Sequence, residues 1–97
     1  MTMDDLIDGV LTSRGREQKK LLKQVFALDP GKEEAIRLAP ALRDPSPRVS
    51  ARITALLARH RLLELFEQQL EGLKPGKISI LRAHFDRISA RGDDQNS

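Results

Sequence analysis

The chain contains no cysteine, tyrosine or tryptophan, and its only aromatic residues are three phenylalanines. Without cysteine, disulfides, thiol chemistry and cysteine-ligated metal sites are excluded. No apolar run approaches 18 residues, so a membrane-spanning helix is excluded as well. The N-terminus carries Asp4, Asp5 and Asp8 instead of the basic start and apolar block of a signal peptide. These absences predict a cytoplasmic protein without a membrane partner.

Catalytic and metal-binding motifs are also missing. The sequence has no phosphate-cradling glycine-rich loop, no nucleophile elbow and no His-Glu-x-x-His. Its two histidines, His60 and His84, lack a carboxylate placed to complete a metal site or to orient their rings, which makes them weak metal ligands. Glu67 and Glu71 share one side of a helix, as an acidic solvent-facing surface would. We therefore predict a protein that is not an enzyme and that has no cofactor or metal.

What the sequence does contain is helix-forming residues. Its 97 residues fit one domain, and Leu, Ala, Arg, Glu, Lys and Gln dominate, all of which favour helices. With three phenylalanines, the core must be mainly aliphatic. These features predict an all-α domain over residues 1–92, followed by a disordered C-terminal tail over residues 93–97.

Apolar periodicity, together with Gly, Pro and other turn residues, divides the domain into six helical segments. These are predicted to begin near Met3, Gly15, Pro30, Pro47, Leu62 and Ile78. Asp29-Pro30 and Ser46-Pro47 are start signals, with an N-cap residue followed by proline at the first helical position. Pro40 should kink or end the third helix. The apolar stripe rotates by roughly 100° after His60, which predicts a break near residues 60–61.

The six segments group as three hairpins, over residues 3–28, 31–60 and 62–91. They form either three stacked hairpins or an irregular helical bundle. Ile36 to Val49, with its Asp-Pro turn, resembles the end of the first helix of a HEAT-like (armadillo-type) repeat. The apolar positions of the second helix of that repeat are matched by Ile53, Leu56 and Leu57. The position after Val49, usually arginine in that family, is Ser50. The resemblance covers about residues 36–57 and implies an α-α superhelical scaffold that binds protein or nucleic acid on one face.

Charge is distributed unevenly along the chain. The formal net charge is +3, but residues 9–92 hold all seventeen basic residues and only nine of the fourteen acidic ones, a net charge of +8. Such a body favours an anionic partner, although a solubilising basic surface explains it equally well.

Two clusters of basic residues are candidate binding sites. Arg48, Arg52 and Arg59 lie within a stripe of roughly 40° on the fourth helix, at the border of its apolar face. They form a possible ledge for carboxylates or phosphates. Alternatively, Arg52 pairs with an acid of a neighbouring element, one of Asp44, Glu64, Glu67 and Glu71. The second cluster lies on helix two, opposite Leu21, Val25 and Leu28, and comprises Arg16, Lys19, Lys20 and Lys23. It is a second basic face or simply a solvated one.

These observations favour a non-catalytic protein–protein interaction or adaptor module, whose partner the sequence does not identify. The alternative is a basic nucleic-acid-binding accessory protein, which the lack of Tyr and Trp makes less favourable. Leu65 and Ile80 lie off the main apolar stripes of their helices and are interpreted as core contacts, or as part of a binding surface. Self-association is a third possibility, because thin stacks of helical hairpins expose apolar ends.

Overall fold

A computed structural model describes the backbone of residues 2–95 and the side chains of residues 2–90. Within this range the chain forms six α-helices and one 3₁₀ segment, without a β-strand. The elements are α1 (Met3–Thr12), α2 (Gly15–Ala27), α3 (Lys32–Leu38), the 3₁₀ segment (Ala39–Arg43), α4 (Pro47–Arg59), α5 (Leu63–Leu70) and α6 (Pro75–Gln95). The prediction of an all-α fold with about six helices is confirmed.

Two helix breaks follow from local chemistry and lie where they were predicted. α3 ends at Leu38, and the chain continues through Pro40 as a 3₁₀ turn, because proline lacks the N–H that the next α-helical bond requires. α4 ends at Arg59, and Arg61 adopts a positive φ of 57° that turns the chain towards α5. The rotation of the apolar stripe at this point is therefore a real change of helix.

Proline also marks the starts of α4 and α6. Pro47 is the first residue of α4, as expected, and Pro75 begins α6 three residues before the predicted start at Ile78.

The start of α3 was wrongly predicted. Asp29 has a positive φ of 53°, and its N–H donates to the carbonyl of Phe26. Asp29 therefore ends α2, and α3 begins only at Lys32.

The sixth helix is also longer at its C-terminal end than the sequence predicted. Gly92 was expected to stop it, but the helical backbone continues to Gln95. The predicted tail of residues 93–97 overlaps this helix as far as Gln95, and its last two residues lie outside the described part of the chain.

The helices pack around α4, which contacts α3, the 3₁₀ segment, α5 and α6. Its buried face carries Val49, Ile53, Leu56 and Leu57, none of which is exposed to solvent. α1 and α2 pack closely against each other, as the first predicted hairpin requires. α6 lies mainly along α4 instead of pairing with α5, so the arrangement is that of an irregular bundle.

The core is aliphatic apart from one aromatic pair. Phe66 of α5 and Phe85 of α6 are both buried, and their rings stack with centroids 4.5 Å apart. Leu65 is half-buried against the core, in agreement with its interpretation as a core contact. Ile80 is 70% exposed, so the same interpretation was wrong for it. Leu28, predicted on the apolar face of the second helix, is 56% exposed beyond the end of α2.

Ser50 joins α4 to the end of the 3₁₀ segment. Its hydroxyl lies 2.8 Å from the carbonyl oxygen of Leu42 and 3.0 Å from that of Asp44, and the residue is fully buried. The ammonium of Lys77 also donates to the Asp44 carbonyl, at 2.7 Å. Removing the Ser50 hydroxyl therefore leaves the Asp44 carbonyl with the Lys77 ammonium as a donor, whereas the Leu42 carbonyl loses the hydroxyl that donates to it.

We expect Ser50→Ala to lower the free energy of unfolding by about 1–2 kcal/mol, the usual cost of an unsatisfied buried polar group. Urea unfolding followed by circular dichroism measures the change. Ser79→Ala is the matched control, because Ser79 is exposed on α6 and the same gain in helix propensity applies to both variants. Equal stability changes in the two variants would contradict the role assigned to the Ser50 hydroxyl.

Candidate functional site

A shallow groove of about 430 Å³ lies between α2 and the first half of α4. We call it the basic groove. Its lining consists of Arg16, Lys19, Lys20, Leu22, Lys23, Arg48, Val49 and Arg52. Six of the seven basic residues selected from the sequence therefore line one groove. The two basic clusters, which the sequence places on separate helices, form a single surface.

Helical periodicity in α2 and α4 sets the two walls of the basic groove. The four basic residues of α2 fall at i, i+3, i+4 and i+7, which is one side of a helix. Arg48 and Arg52 are one turn apart on α4. Leu22 and Val49 are almost fully buried between the helices and form an apolar floor. The six basic residues of the two walls are all exposed and surround this floor.

The charge of the basic groove is of one sign. No carboxylate lines it, and none of its six cations forms an ion pair with a residue in the described part of the chain. Clustered like charges repel one another and raise the local positive potential. The N-terminal end of α4 adds to this potential, because the backbone N–H groups of its first turn carry a partial positive charge. The groove is therefore suited to an anionic ligand.

Arg52 is held in place by an aromatic ring. Its guanidinium carbon lies 5.7 Å from the centroid of Phe26, within the range of a cation–π interaction. The alternative pairing of Arg52 with Asp44, Glu64, Glu67 or Glu71 was wrong, because Arg52 takes part in no ion pair among the described residues. An aromatic partner leaves the guanidinium positively charged and without a carboxylate.

Arg59 does not belong to the basic groove. It lies seven residues after Arg52, roughly 10 Å further along α4. Its guanidinium lies 3.5 Å from the carboxylate of Asp29, at the end of α2. The stripe of three arginines predicted on the fourth helix is therefore divided, with two in the groove and one in a surface ion pair.

Other arginines of the bundle form ion pairs with carboxylates, which distinguishes them from those of the groove. Arg37 of α3 forms ion pairs with Asp4 and Asp8 of α1. The guanidinium of Arg82 on α6 donates to both carboxylate oxygens of Glu67 in a bidentate contact, at 3.0–3.2 Å.

Arg43 has a different structural role, since its partners are backbone carbonyls. Its guanidinium donates to the carbonyls of Gln69 and Glu71, at 3.3 and 2.6 Å. These carbonyls lie at the C-terminal end of α5, where helix carbonyls lack internal partners.

A second depression, of about 360 Å³, lies between α4 and α6 and was not predicted. We call it the apolar cleft. Its lining consists of Pro45, Pro47, Ser50, Ala51, Lys77, Ile80, Leu81, His84 and Arg87. The spacing of Lys77, Ile80, His84 and Arg87 places them on one side of α6, and this was the signal available in the sequence. Only the packing of α6 along α4, however, makes that side one wall of a cleft.

The remaining candidate chemistry is weak. Among the described residues, no group of three or more His, Asp or Glu side chains is arranged to hold a metal ion. The His60 ring nitrogen lies 3.3 Å from the Pro30 carbonyl oxygen, a contact between the end of α4 and the α2–α3 loop.

Within residues 2–95, none of the helices has the length and apolar character needed to span a bilayer. No protein-family model, curated protein or solved structure matches the chain.

Proposed function

We propose that this protein is a non-catalytic interaction module that binds an acidic segment of a partner protein in the basic groove. The observation that carries the proposal is the set of six cations around one groove, with no carboxylate among its lining residues. The partner's Asp or Glu side chains would supply the missing negative charge. The guanidiniums of Arg48 and Arg52 present paired donors that match carboxylate geometry.

The dimensions of the basic groove limit what it can hold. From Arg16 to Lys23, α2 rises by roughly 10 Å, at about 1.5 Å per residue. This length corresponds to about two helical turns or three extended residues of a partner. The apolar floor of Leu22 and Val49 suits the aliphatic parts of a peptide. The partner segment should therefore be short, with several carboxylates closely spaced.

The aromatic residues favour a protein partner over a nucleic acid. Proteins that bind single-stranded nucleic acid commonly stack its bases on exposed aromatic rings. Phe66 and Phe85 are buried against each other, and the Phe26 ring is covered by the Arg52 guanidinium. None of the three rings is left as a stacking platform. Nucleic-acid binding would therefore depend mainly on phosphate contacts, which are strongly weakened by salt.

The resemblance of residues 36–57 to HEAT-like repeats supports the same proposal, since it implies a helical scaffold that binds its partner on one face. The cytoplasmic location predicted from the sequence belongs to this proposal as well.

A salt titration tests the proposed function. Fluorescence anisotropy would compare a labelled peptide carrying six Asp or Glu residues, its Asn/Gln counterpart, and mixed-sequence DNA and RNA. We expect the acidic peptide to bind, the neutral one not to bind, and nucleic acid to be the weaker ligand at about 0.15 M salt. Tighter binding of nucleic acid with a steep salt dependence would support the alternative of a nucleic-acid-binding accessory protein. If neither the peptides nor the nucleic acids bind at low salt, the proposed function is contradicted and the groove is only a solvated basic surface.

A further inference from the structure

The apolar cleft exposes a large aliphatic side chain at the surface of α6. Ile80 is 70% exposed, the highest value among the exposed large hydrophobic residues of the described chain. Opposite it, Pro47 and Ala51 of α4 form the other wall, and Leu81 is almost fully buried between the helices. Covering this surface would remove apolar area from water, which is favourable at about 25 cal/mol per Å².

Basic residues of α6 line one wall of the apolar cleft, and these indicate the chemistry of its occupant. Lys77 and Arg87 line it at two levels of α6, with His84 between them, and no carboxylate lines it. The Lys77 ammonium donates to the Asp44 carbonyl at 2.7 Å. An apolar side chain flanked by acidic residues is complementary to this arrangement.

The apolar cleft and the basic groove lie on either side of the same turns of α4. The groove uses Arg48 and Arg52, and the cleft uses Pro47 and Ala51. Arg48 and Ala51 are three residues apart, so they are neighbours on the helix surface. Only the width of α4, about 10 Å, separates the two depressions. One peptide segment can therefore contact both.

We propose that the apolar cleft takes a leucine-type side chain from the same acidic segment that occupies the basic groove. The partner motif is then bipartite, with a cluster of carboxylates and one apolar anchor a few residues before or after it. This inference rests on the proposed function, because it assigns the same partner to both depressions. It adds a specificity element, since an acidic segment without the anchor fills only the groove.

A set of peptides tests the bipartite motif. Each carries the acidic cluster and a single leucine at graded distances on either side, and each has a counterpart with serine in place of the leucine. With the wild-type protein we expect at least one leucine peptide to bind about 10-fold more tightly than its serine counterpart, the effect of burying one aliphatic side chain. Ile80→Ser should abolish this advantage and leave the serine peptides unaffected. Leu63→Ser is the matched control, because Leu63 is also exposed but lies on α5, outside the cleft.

Each other outcome overturns the inference in a distinguishable way. If the serine peptides bind and leucine adds nothing at any distance, the apolar cleft is not part of the site, although the groove remains supported. If Ile80→Ser weakens leucine and serine peptides equally, Ile80 does not act as an anchor contact. If no peptide binds, the proposed function fails and the bipartite motif with it. If sedimentation shows a wild-type dimer that Ile80→Ser dissociates, the cleft belongs to a second copy of the chain.

Discussion

Reversing two charges of the basic groove, with Lys20→Glu and Arg48→Glu combined, is expected to weaken binding of the acidic peptide by at least about 100-fold. One residue comes from each wall, so the variant removes a charged contact on both sides of the ligand. A hydrogen bond to a charged group contributes about 1.5–3 kcal/mol, and about 1.4 kcal/mol corresponds to a tenfold change in affinity. Each introduced glutamate also repels the ligand. Arg52 is left unchanged because its contact with Phe26 is part of the packing.

A second double variant controls for overall charge. Lys32→Glu combined with Lys74→Glu changes the net charge by the same amount, and both lysines are exposed and lie outside the basic groove. We expect it to weaken binding by no more than about 3-fold, because neither lysine lines the groove and interactions between exposed charges are weakened by screening at 0.15 M salt. Anisotropy titrations of both variants, with thermal unfolding as a check on folding, give the comparison. Equal losses in the two variants would show that the peptide senses the total charge and not the groove.

Replacing the buried ring of Phe66 by a methyl group should be the most destabilising single change among those considered. Phe66 is 1% exposed, and it stacks on Phe85 to join α5 to α6. Large-to-small changes of a buried phenylalanine cost about 3–5 kcal/mol. Small domains are stable by only about 5–15 kcal/mol in total, so Phe66→Ala should lose a large part of its stability. Urea unfolding followed by circular dichroism measures the loss directly.

The neighbouring Leu63→Ala provides the matched control for this prediction. Leu63 lies on the same helix but is 53% exposed, so its truncation should cost no more than about 1 kcal/mol. Phe66→Leu keeps most of the buried volume and should fall between the two alanine variants. If Phe66→Ala and Leu63→Ala unfold at the same urea concentration, the stacked ring pair is not an important part of the core.

Local chemistry made much of the fold predictable. Pro40 ends α3 because it lacks an N–H, and Pro47 begins α4 because the first turn of a helix needs none. The turn at residues 60–61 was visible in the rotation of the apolar stripe. Asp29 was misread, because the same residue type that caps the start of a helix also tolerates the left-handed conformation that ends one. Its role depends on hydrogen bonds that the residue order alone does not reveal.

The partners of the basic residues show which properties of the site could not be predicted from the sequence. Helical spacing correctly grouped the basic residues of α2, and it placed Arg48 and Arg52 on one side of α4. It also grouped Arg59 with them, because periodicity gives direction around a helix but does not show which element lies opposite. The Asp29 carboxylate faces Arg59, and the Phe26 ring faces Arg52. These contacts join residues that are far apart in sequence.

The sequence by itself determined that the domain is helical, where most of its helices begin and end, and which sides of α2 and α4 are basic. These properties depend on residues within a few positions of one another, through helical periodicity and the chemistry of proline. Only the tertiary structure decided that the basic sides of α2 and α4 form one groove, and that α6 lies along α4 to form the apolar cleft beside it. The physical reason is that helix packing depends on how buried surfaces fit together across the whole core, which no single segment specifies.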